Sequence, residues 1–117
     1  MGETTGVLLG SAKAVGNVFP TAEIEARLVA ELIEAVKAEA EIKEIDIPPT
    51  VAEQRAMKIA IDSLVVVDLL VAVEPILGFE LKDNVVRKGG YATVDDAAAH
   101  LLPRIEKEWV KRKGRRG

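Results

Sequence analysis

Residues 59–74 read Ile59-Ala60-Ile61-Asp62-Ser63-Leu64-Val65-Val66-Val67-Asp68-Leu69-Leu70-Val71-Ala72-Val73-Glu74, the most apolar stretch of the chain. Its valine content suits a strand. Its length suits a helix, and Asp62-Ser63 is a capping pair placed where such a helix would begin. On a helix, Val66, Leu69, Leu70, Val73 and Leu77 share one face, while Leu64, Val67, Asp68 and Val71 share another. The first face reads as core. The second is apolar with one carboxylate and should look outward. Pro75 lacks a backbone donor and clashes with the carbonyl of Val71, so a kink or early end is expected there, with Gly78 finishing the turn.

Upstream, Thr21 reads as an N-cap before residues 22–40, where Ile24, Leu28, Leu32 and Val36 recur every four positions beside Val29 and Ile33. That is a long amphipathic helix facing a core. Residues 1–20 carry Gly2, Gly6, Gly10 and Gly16 and read as a flexible leader, with at most a weak turn over residues 7–15. Residues 41–58 read as a long connection closed by Pro48 and Pro49, pinned to the core by Ile45, Ile47, Val51 and Met57. Downstream, residues 79–87 are short and irregular, and Gly89-Gly90 end them. Thr93 caps a last helix with Asp95 and Asp96 in its first turn; Val94, Ala97, Ala98, Leu101 and Ile105 form its inner stripe, and Pro103 should kink it. Trp109 either anchors this helix on the leader or lies exposed. The expected fold is all-α: three main helices and a short irregular third element, with a leader at 1–20, a domain at 21–110 and a disordered basic tail at 111–117.

Composition removes whole classes of chemistry. The 117 residues contain no cysteine and one histidine, His100, which excludes disulfides, thiol catalysis and zinc clusters. His100 reads as a surface residue. A hydrolase built on Ser63 would lack an adjacent base. Phe19, Phe79, Tyr91 and Trp109 are too few for a base-stacking surface. Charge is divided: residues 1–103 hold nine basic and 17 acidic side chains, whereas Arg104 onward holds seven basic and two acidic. An acidic body repels nucleic acid and attracts basic protein partners. Neither a secretory signal nor an apolar run of membrane-spanning length is visible, so a cytoplasmic protein without membrane insertion is expected, and a monomer.

Asp62-Ser63-Leu64 at a loop–helix junction, Val67-Asp68-Leu69 after it, Val73-Glu74, Leu77, Glu80-Leu81, and Thr93-Val94 opening the last helix together resemble the acyl carrier proteins. The resemblance covers roughly residues 21–105. It implies that a phosphopantetheinyl transferase esterifies Ser63 with 4′-phosphopantetheine from coenzyme A. It further implies that the arm carries acyl intermediates as thioesters for the synthase and acyl-transferring enzymes of fatty-acid, lipid or polyketide synthesis. The protein itself would catalyse nothing. Asp62, Asp68 and Glu74 are the acids carried over for partner contact, with Leu64, Val67 and Val71 at its apolar centre.

This chain departs from the family pattern at Ile59-Ala60, Val65, Pro75 and the basic, glycine-bearing residues 82–90, which points to a specialised carrier docking more through apolar contact than charge. Core residues such as Leu28, Leu32 and Val66 would then also line an acyl cleft between the helices. The Met1 start suits a free-standing carrier. Two other readings stand beside this one: a peptidyl carrier loading aminoacyl groups, and an unmodified helical interaction module whose apolar strip binds a partner helix. The run at residues 111–116 reads as a solvated end; nucleic-acid contact is not expected, since no folded basic surface accompanies it.

Overall fold

Residues 21–43 are dominated by Ala, Glu, Leu and Ile with no proline or glycine, the composition that best tolerates helical backbone. They form one helix, α1 (Thr21–Lys43). The computed structural model describes residues 18–114, and side chains only through Arg112. Ile24, Leu28, Leu32, Val36 and Ala40 line its buried face. Thr21 is not the cap: the helix begins on it, Pro20 holds the N-cap position, and no side chain caps the end. Glu44 closes α1 in a left-handed conformation (φ 58°), its N–H donating to Ala40 and Glu41 carbonyls.

The connection after α1 is not structureless. Thr50 has extended backbone and its hydroxyl oxygen accepts from the Glu53 N–H at 3.2 Å, opening α2 (Val51–Ala56). Ile47 and Met57 pack against the core, but Ile45 and Val51 are exposed and pin nothing. Arg55 does the fastening instead, reaching Asp95 at 2.7 Å and Glu25 at 3.8 Å. These charges are partly exposed, so they orient α2 more than they stabilise it.

The apolar stretch is helical. α3 (Ser63–Leu69) passes into a 3-10 turn at Leu70–Ala72, and α4 (Glu74–Leu77) follows with Pro75 in its first turn. Proline cannot supply the next α-type donor, so the helix tightens and restarts with Pro75 where its missing N–H is tolerated. Gly78 then ends α4 at φ 89°, its N–H donating to the Glu74 carbonyl. Val66, Leu70, Val73 and Leu77 are buried. Leu69 is only partly buried, at the edge of the same face.

A second 3-10 turn, Asp83–Val85, is the expected short irregular element. α5 (Val94–Gly114) follows, opened by Thr93, whose hydroxyl oxygen accepts from the Asp96 N–H at 2.9 Å. Pro103 leaves the helix continuous. Its missing N–H deprives only the exposed Ala99 carbonyl, which water can serve. The basic run therefore starts inside a helix rather than as a loose tail at Lys111, and Arg112 lies 4.5 Å over the Phe79 ring.

At the other boundary, Phe19 is 7% exposed and meets Trp109 edge-on, ring centroids 5.8 Å apart. The end of the expected leader is thus part of the core, and Trp109 is its anchor. The weak turn expected over residues 7–15 lies outside the described residues. Helices dominate the described residues; the one β-type contact is the isolated bridge Ile61–Tyr91.

Candidate functional site

Three backbone hydrogen bonds set where α3 begins. Ile59 N–H donates to the Ala92 carbonyl at 3.0 Å, and Ile61 and Tyr91 exchange bonds of 2.8 and 3.0 Å. The segments entering α3 and α5 are thereby clamped side by side. Gly90 permits the clamp. It sits at φ +80°, and a Cβ there would lie 2.0 Å from the Ile61 carbonyl oxygen and 3.2 Å from the Ser63 nitrogen. Only glycine satisfies both the backbone conformation and the approach.

From this clamp the chain turns into α3. Asp62 has extended backbone and accepts from the Leu64 N–H at 2.7 Å, so it is the cap. Ser63 is the first helical residue, neither buried nor fully exposed. Among the described residues its hydroxyl is not drawn into any of the surrounding hydrogen bonds. It opens onto a groove of about 380 Å³ lined by Leu64, Val67, Val86, Asp83, Asn84 and Lys88. On the other side of α3, a larger cleft of about 530 Å³ runs along the second half of α1, past Ala35, Glu39 and Lys43, to Ala60, Ile61, Asp62, Leu64, Val65 and Gly89. Leu64 lines both and forms the ridge between them.

The expected partner-contact residues are distributed unevenly. Leu64 is 75% and Val71 61% exposed, with Val65 at 43%, so an apolar strip does face water. Asp68 is exposed as well. Val67 departs from the expected outward face: it is partly buried, packs against the core, and floors the Ser63 groove. Glu74 departs further. It is half-buried and accepts from the Leu81 N–H at 2.9 Å, fastening the turn after α4. That carboxylate organises the loop after α4.

His100 is not an idle surface residue. Its Nδ1 lies 2.8 Å from the Tyr91 hydroxyl, which accepts from the Arg87 N–H at 2.9 Å. The direction of the Tyr91–His100 hydrogen bond follows the tautomer of the imidazole. Burial lowers the His100 pKa, and the cationic Arg104 and Arg87 push the same way. Burial also raises the Tyr91 pKa. Asp96 is held below the ordinary carboxylate value by the Ala92 N–H and by Arg87. This network braces Tyr91 and so the clamp that places Ser63. The chain's one imidazole is committed to this network.

Sequence reasoning passed over Gly90, Asn84, Val86 and Lys88 as contributors to the site. The Gly89-Gly90 pair was visible as a breaker, but its closeness to Ile61 has no local signature. No group of His, Asp or Glu side chains among the described residues is placed to hold a metal ion, and no described helix is long and apolar enough to cross a membrane. No family model, curated protein or solved structure matches the chain.

Proposed function

We propose that the chain is an acyl-carrier-type protein bearing 4′-phosphopantetheine on Ser63. The observation that carries the reading is the setting of that hydroxyl: without a hydrogen bond among the described residues, at the first residue of α3, at the mouth of a groove, on a junction clamped by Gly90 and Tyr91. Such a group is presented to another protein's active site rather than activated by its own neighbours. The helical bundle, with a long first connection and a 3-10 third element, suits the same reading.

In the attachment step the Ser63 oxygen attacks the pantetheine-bearing phosphorus of coenzyme A. The Oγ–P bond forms as the bond to the second phosphate breaks, releasing adenosine 3′,5′-bisphosphate, and the hydroxyl proton passes to a base on the transferase. Once attached, the arm supplies a thiol that holds acyl groups as thioesters. The chain's own residues do three things. Asp62 fixes the start of α3, the Ile61–Tyr91 clamp holds that start in register, and the Leu64–Val65–Val71 strip offers partner enzymes a dry contact whose rim is Asp62 and Asp68. The same strip would also serve an unmodified interaction module, and a peptidyl carrier would share the attachment chemistry.

Incubation with coenzyme A and a broad-specificity phosphopantetheinyl transferase, followed by intact-mass measurement, decides between these. Gain of one phosphopantetheine, abolished in Ser63→Ala, is the expected result. A well-folded sample that gains nothing refutes the carrier and leaves the interaction module. Loading of the modified protein with acyl against aminoacyl groups then separates the two carrier types.

A further inference from the structure

The two grooves flanking Leu64 each contain a lysine, and their situations differ. Lys43 in the α1–α3 cleft is paired with Glu39 at 3.2 Å. Lys88 in the Ser63 groove is exposed and makes no ion pair among the described residues. Its neighbour Arg87 is already spent: it bonds Asp96 and the Gly90 carbonyl and lies 4.5 Å over the Tyr91 ring. Among the described residues Lys88 is therefore the uncommitted cation lining that groove, and Asp83 is the acid that lines it too.

We infer that Lys88 is a positioning residue for the phosphodiester at the root of the arm, an inference that rests on the carrier reading of Ser63. A phosphodiester made on the Ser63 oxygen is one bond from it, so its negative charge falls at the mouth of this groove whatever the rest of the arm does. An ammonium lining the same groove attracts that charge, and more strongly at a partly desolvated mouth than in open water. Asp83 opposes it. The arm's root is thereby biased toward the side of α3 that holds Asn84 and Val86 and away from the α1–α3 cleft, where Lys43 is spent on Glu39 and Asp62 is left to repel it.

The test uses the full chain after enzymatic attachment, with the 31P resonance of the phosphodiester recorded at low and high salt. In the wild type the resonance moves as salt screens the contact. In Lys88→Gln that movement is lost, in Asp83→Asn it grows, and in Lys43→Gln it stays as in the wild type. Attachment also shifts the amide signals of Asn84, Val86 and Lys88, while those around Lys43 stay still. A Lys88→Gln protein with an unchanged amide fingerprint that keeps the wild-type salt response overturns the inference, as does loss of that response in Lys43→Gln. If Ser63 takes no arm, the mass measurement already reports it before any spectrum is taken. In that case the carrier reading falls, and this inference with it.

Discussion

Gly90→Ala tests the clamp on which the site depends. The new methyl would stand 2.0 Å from the Ile61 carbonyl oxygen, where real contacts begin beyond 3 Å, and 3.1 Å from its carbon. Both obstacles are backbone, so no side chain can swing aside. The residue must also hold φ +80°, which costs an L-amino acid about 1–2 kcal/mol. Relieving the clash separates Ile61 from Tyr91 and sacrifices their two hydrogen bonds, about 1 kcal/mol each. The expected loss is about 3–4 kcal/mol, a large share of the roughly 5–15 kcal/mol typical of a domain.

Gly89→Ala is the matched control: φ is +87°, but a Cβ there meets nothing within 4 Å, so only the conformational cost of about 1–2 kcal/mol applies. Urea denaturation of the two variants at pH 7.5 measures the difference and, on the proposed carrier reading, arm transfer to Ser63 without urea and well below melting reports whether the junction has moved. Equal stability of the two variants would show that the Ile61–Tyr91 approach is not tight and that the placement of Ser63 does not rest on it.

Four further outcomes follow from the same geometry. Asp62→Ala removes the cap on Leu64 and lowers stability by about 1 kcal/mol in denaturant titration. Leu101→Ala empties a fully buried position and costs about 2–5 kcal/mol in the same assay. Leu64→Asp and Val71→Asp alter exposed positions; each changes stability by no more than about 0.5 kcal/mol, and on the proposed carrier reading each slows arm transfer through the lost apolar contact. For pH, His100 is depressed below the ordinary value of 6.5. The unfolded chain therefore binds a proton that the folded one refuses, so stability is full above pH 6.5 and declines as pH falls below it. Comparing melting at pH 7.5 and 5.5, the wild type loses more than His100→Gln does.

Much of the bundle was legible because its information is local. The four-residue spacing of Ile24, Leu28, Leu32 and Val36 announces α1, and Asp62 before a long apolar run decides helix over strand for α3. Thr93 with two acids behind it announces α5. The Thr50-x-x-Glu53 pattern carried the same kind of signal for α2 but was masked by the flanking prolines. Thr21 failed as a cap because Phe19, held in the core against Trp109, and Pro20 at the N-cap position let the helix start a residue early. What could not be read locally is pairwise and distant: Ile61 with Tyr91, Tyr91 with His100, Glu74 with Leu81. Ser63 and Asp62 could be singled out by position, but the groove before them is built from residues 83–88, whose role appears only once the chain has folded back.

The Phe19–Trp109 contact has a bearing on architecture. It brings the entrance of α1 and the far end of α5 to one pole of the bundle, whereas the α1–α3 cleft places Asp62 and Leu64, the two neighbours of Ser63, beside the last turns of α1, at the opposite pole. Traction applied through either terminus would load that aromatic latch first and reach the serine junction last. The body could accordingly be strung between neighbouring domains, or moored to a bead by either end, with its grooves still facing outward.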